Sequence, residues 1–97
     1  MGSDYFCTIS EGESPGEAFR NAVAQAKYDF GNNGYTGTIA EKSNYTMATY
    51  DSLSQKSAYE LANELKNTAY SDKWGPAGAI RINDNKKTYI FFGWASS

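Results

Sequence analysis

Ninety-seven residues, 40% apolar and 21% charged, fit one domain with one modest core, since a chain of this size buries only roughly 60 to 70% of its unfolded surface. A formal charge of -2 disfavours both a large basic footprint for duplex phosphates and an acidic mimic of nucleic acid. With Cys7 as the single cysteine and no histidine, an intramolecular disulfide, a thiolate zinc site, and a histidine base or metal ligand are all removed.

Residues 4–10 (DYFCTIS) are β-branched and aromatic without a helical period, and they break into Glu11-Gly12-Glu13, which predicts a first strand and a turn. Cys7 then falls in a strand, where a small buried hydrophobe is its expected role. Ser14-Pro15-Gly16-Glu17 is the strongest local signal: serine suits an N-cap, proline the first helical position, and Glu17 a capping box. Phe19, Val23, Ala26 and Phe30 continue at helical spacing, and Gly31 can end the helix in a left-handed conformation, with turn residues following through Gly34.

Residues 35–42 (YTGTIAEK) are expected to form a second strand and residues 45–50 (YTMATY) a further short one. The run from Gly31 to Gly37 closes a helix and enters a strand, the reverse of the order that a phosphate cradle needs. Ser57-Ala58-Tyr59-Glu60 repeats the capping pattern, and Ala58, Leu61, Ala62, Leu65 and Ala69 predict a second helix over 58–69. Residues 79–82 (AIRI) and 88–95 (TYIFFGWA) flank a polar turn, which predicts a hairpin.

The predicted fold is α+β, in the order β-α-β-(β)-α-β-β, with two helices packed on one face of a mainly antiparallel sheet of four or five strands. A two-layer arrangement leaves the other sheet face open. Period two places Ile80, Ile82, Ile90 and Phe92 toward the helices, so that Arg81, Tyr89 and Phe91 point away. Eight tyrosines, five phenylalanines and two tryptophans supply more aromatic surface than so small a core needs. The expected binding surface is therefore Arg81, Tyr89 and Phe91 with Thr36 and Thr38 of the second strand, joined by Tyr35 and Trp74.

No catalytic constellation is legible. Glu11 with Glu13, and Glu60 with Glu64, are explained by a solvated turn and by helix capping and dipole roles. The stretch 87–94 (KTYIFFGW) is similar to the aromatic strand of RNA-recognition domains, but glycine does not follow the base directly and the element order differs. A non-enzymatic protein-binding module without cofactor or metal is the first expectation. A small-ligand or nucleotide binder is the alternative, and single-stranded nucleic acid or an unfamiliar enzyme ranks lower. A homodimer through the open sheet face would suit the same residues.

The reading of cysteine usage places the chain in a reducing cytoplasm, and no run approaches the roughly 18 apolar residues of a membrane span. The stretches 34–42 (GYTGTIAEK), 73–80 with its preceding aspartate (DKWGPAGAI) and 91–97 (FFGWASS) resemble the small orphan proteins of phages and mobile elements. Some such proteins block host defence enzymes such as CRISPR effectors by direct contact. The resemblance thus implies an inhibitor and assigns no residues.

Overall fold

A computed structural model describes residues 2–31, 35–84 and 86–97. The expected turn residues Asn32, Asn33, Gly34 and Asn85 lie outside that set. The order is β1 (Ser3–Glu11), α1 (Pro15–Phe30), a 3-10 turn (Ile39–Glu41), β2 (Tyr45–Met47), α2 (Gln55–Leu65), β3 (Ala77–Arg81) and β4 (Thr88–Ser96). The protein is α+β, with two helices packed against a mixed four-stranded sheet ordered β1-β4-β3-β2. β4 pairs antiparallel with β1 and β3, while β2 lies parallel to β3.

α1 begins as its sequence dictates. The Ser14 hydroxyl accepts from the Glu17 amide at 3.1 Å, Pro15 occupies the first turn, and Gly31 ends the helix at φ 84°. The Glu17 carboxylate reaches back one residue further than a capping box requires, accepting from the Glu13 amide at 3.1 Å. α2 starts earlier than its sequence pattern predicts. Ser54, and not Ser57, is its cap, with its hydroxyl accepting from the Ser57 amide at 3.1 Å. The helix also closes at Leu65, before Ala69.

Residues 35–42 form no strand. Their threonines bond locally instead, Thr38 capping the 3-10 turn through the Ala40 amide, which is the competing tendency of hydroxyl side chains near backbone donors. The second strand of the chain is instead β2, within the stretch 45–50 expected to form a further short strand.

The helices do not share a face. α1 packs with Phe6, Ala77, Ala79, Tyr89, Phe91 and Ala95, whereas Ala58 and Ala62 of α2 pack with Ile80, Ile82, Ile90 and Phe92. The cause lies in the connections. The chain passes through α1 from the β1 edge of the sheet to the β2 edge, and through α2 it steps back to β3, with β1, β2 and β3 all running in one direction. Two crossovers of the same right hand that travel in opposite directions must lie on opposite faces. Both faces of β4 are consequently covered, and every residue from Thr88 to Gly93 is buried.

Candidate functional site

The alternation read from the hairpin is correct, but its consequence for exposure is reversed. Tyr89 and Phe91 do point away from the Ile80, Ile90 and Phe92 side, and there they meet α1: they are 3% and 0% exposed. Phe91 lies edge-on to Phe19 of α1 at 5.6 Å and to Tyr45 at 5.8 Å. Neither ring is available to a partner, and the idea of a homodimer through an open sheet face falls with them. Arg81 is exposed at the last position of β3, the opposite end of that strand from Trp74.

The remaining four expected residues share the Trp74 end of the sheet. Tyr35 and Trp74 are 57% and 66% exposed, and their rings meet edge-to-face at 6.0 Å. Thr36 and Thr38 are half-buried beneath this pair's loop and serve as its internal scaffold. The Thr36 amide and hydroxyl both donate to Glu41 Oε2, at 3.0 and 2.8 Å, and the two threonine hydroxyls lie 2.8 Å apart. Gly37, at φ 71°, donates its amide to the Ser96 carbonyl at 2.7 Å and lies against Asp4, where a Cβ would approach Oδ2 to 2.6 Å. Only glycine meets both demands.

The Trp74 loop is fixed from within and from beneath. Asp72 Oδ1 accepts the Trp74 amide at 2.8 Å, and the Asp72 carbonyl accepts the Gly75 amide at 3.0 Å, closing a turn. Lys42, only 5% exposed, runs its stem toward Gly93 of β4 and donates its ammonium to the Lys73 and Gly75 carbonyls at 3.0 and 2.8 Å. Burial lowers the Lys42 pKa from its ordinary value, while the Asp72 carboxylate pulls it back up. Lys73 Nζ stands 5.3 Å from the Trp74 ring centroid, within cation–π reach, and 3.4 Å from the Gly2 carbonyl.

Four members of this site carry no motif. Lys42 and Glu41 read as the end of a strand, Asp72 and Lys73 as loop polarity, and only the turn chemistry of DKWGP hinted that Trp74 would be held rigidly. Chemically the site is an amphipathic aromatic ridge with one ammonium beside it. Among the described residues no group of three His, Cys, Asp or Glu side chains could hold a metal ion. Cys7 sits half-buried in β1 on the α2 side, and burial pushes its thiol pKa up while the Tyr5 hydroxyl partly offsets the rise. No helix among the described residues is long and apolar enough to cross a membrane.

No family model matches the chain, and no curated protein or solved structure is significantly similar to it.

Proposed function

We propose that the protein is a non-enzymatic binding module that docks a protein partner through the Tyr35 and Trp74 ridge. The observation that carries this reading is the exposure of two large aromatic side chains in mutual contact on loops braced by Lys42, Glu41 and Asp72. Isolated exposed rings are common. Paired rings on a stiff support bind with little loss of conformational entropy, and tryptophan and tyrosine dominate binding hot spots. The resemblance to small phage and mobile-element proteins extends the proposal to an inhibitor that acts by direct contact on a host defence enzyme.

The test is a Tyr35→Ala, Trp74→Ala double variant with a native thermal transition, compared with the parent as bait in the lysate of a candidate host. Loss of a partner captured by the parent, with truncation of a central ring costing about 2 kcal/mol or more, supports the reading. Equal capture by the folded variant overturns it. Lys73 beside the Trp74 ring also suits an anionic aromatic ligand such as a nucleotide, and a nucleotide-induced rise in melting temperature that the double variant loses would favour that second reading.

A further inference from the structure

β1 is an edge strand nine residues long, well beyond the short edges that soluble proteins usually tolerate. Its backbone parity follows from the ladder. Gly2 exchanges both hydrogen bonds with Ser97, and the Gly12 amide donates to Lys87. In an antiparallel pair bonded positions recur every second residue, so Asp4, Phe6, Thr8 and Ser10 turn their backbone groups toward β4. Those of Ser3, Tyr5, Cys7 and Ile9 then point outward, and among the described residues none of them has a hydrogen-bond partner off the strand. The Glu11 carbonyl is already taken by Asn21 Nδ2 at 3.0 Å.

Apart from α1 alongside, which holds the Glu11 carbonyl, the strand itself carries little of the usual protection. SDYFCTISE contains no proline, lysine or glycine, and its only charges are Asp4 and Glu11 near its two ends. A groove of about 690 Å³ runs beside the strand, lined by residues from Tyr5 to Glu11, by α1 from Asn21 to Phe30, and at one end by Gly37, Thr38 and Ile39. Ile9 on the strand is 43% exposed and Phe30 at the groove's end is 62% exposed.

We infer that β1 pairs antiparallel with β1 of a second copy of this chain, joining two four-stranded sheets into one of eight strands. The occupant follows from the strand's own sequence. A two-fold axis at Cys7 brings the outward-facing backbone groups of Tyr5, Cys7 and Ile9 opposite those of Ile9, Cys7 and Tyr5 in the other copy, and the ladder stops short of the Glu11 carbonyl that Asn21 holds. In that register Tyr5 faces Ile9 of the other copy, apolar on apolar. Asp4 faces Ser10 and Glu11 faces Ser3, so no carboxylate meets a carboxylate. A two-fold contact requires such self-complementarity, and a charged edge would forbid it. This association uses neither Tyr35 nor Trp74, and it stands or falls independently of the proposed binding ridge.

The test combines sedimentation with amide exchange measured by NMR on the intact chain, across roughly 1 µM to 1 mM, the range of weak self-association. The mass should double over that range. The amides of Tyr5, Cys7 and Ile9 should gain at least tenfold protection with concentration, while those of Phe6 and Thr8 stay protected throughout. Ile9→Pro removes one outward donor per copy and no bond to β4, so the folded variant should remain monomeric, and Ile9→Lys, which also removes the apolar match to Tyr5, should weaken association without touching the backbone. A monomer at every concentration overturns the inference. So does a dimer in which the Tyr5, Cys7 and Ile9 amides remain unprotected, because that dimer would use another surface.

Discussion

On the α1 side the sheet presents rings, Phe6, Tyr45, Tyr89 and Phe91, and the helix answers with Ala18, Ala22 and Ala26 around the single ring of Phe19. On the α2 side the sheet presents Ile80, Ile82, Ile90 and Phe92, and the helix contributes Ala58 and Ala62, flanked by the half-buried Leu61 and Leu65. The alanines let each helix approach closely enough for sheet side chains to fill the layer. The two sides differ in closure. Four residues of the 16-residue α1 are buried but only two of the 11-residue α2, so the α2 layer is the thinner one and should open first.

The largest effects should come from the two adjacent rings at the centre of β4, which serve opposite layers. Phe91→Ala and Phe92→Ala should each cost about 3–5 kcal/mol in chemical unfolding. A much smaller loss for Phe92→Ala would show that the α2 layer yields around a cavity where the α1 layer does not. Gly78 offers the converse test. A Cβ there would lie 2.4 Å from the Phe92 ring, so Gly78→Ala should destabilise by about 1–3 kcal/mol through overpacking. An unchanged denaturation midpoint would mean that Phe92 has room to move on the α2 side.

Helix caps sharpen the comparison at lower cost. Ser14→Ala and Ser54→Ala should each lose about 0.5–2 kcal/mol, while Ser57→Ala should stay within about 0.5 kcal/mol, since its hydroxyl caps nothing. A larger loss at Ser57 than at Ser54 would return the start of α2 to the position its sequence suggests.

Alkaline titration separates the layers by sign. On the α2 side burial raises the pKa of Tyr5 above its ordinary 10.0 and that of Cys7 above 9.0. The folded state therefore holds protons that the unfolded chain gives up, and this stability is complete below about pH 9 and is lost as pH rises through the folded values. Lys42 behaves oppositely. Its folded pKa lies below 10.5, so in the window between the two values the unfolded chain binds more protons and stability rises with pH. Melting temperatures followed from pH 8 to about 11 should fall less steeply in Tyr5→Phe and more steeply in Lys42→Met than in the parent.

The comparison of faces also marks the limit of what the sequence disclosed. α1, β1 and the hairpin were legible because each carries a local signal: the Ser14-Pro15 start, the β-branched run around Cys7, and the alternation of Ile80, Ile82, Ile90 and Phe92. Alternation says which residues share a face. It does not say whether that face is covered, and Tyr89 and Phe91 were assigned to solvent for that reason. A sign of the truth was present in TYIFFGWA, whose nearly unbroken apolar run is the mark of a strand buried on both sides. The site was legible in part. Tyr35, at the start of an expected strand, and Trp74, beside the Gly75-Pro76 turn, stand out as aromatic residues, but their meeting depends on Lys42 reaching residues 73 and 75 across the fold, a contact that no spacing in the sequence encodes.

β4 is the central strand on which both layers are assembled, and it is also the last of the elements to be synthesised, with Ser3 of β1 waiting for Ser96. Closing so long a loop costs entropy before any pairing repays it, and topologies dominated by distant pairs fold on the order of milliseconds to seconds. A nascent chain that ends before residue 88 has α1 and α2 but lacks Tyr89 and Phe91 of the one layer and Ile90 and Phe92 of the other. Folding should thus wait for β4, and ribosome-bound chains ending before it should be cleaved by protease faster than chains in which Thr88–Ser96 has left the exit tunnel.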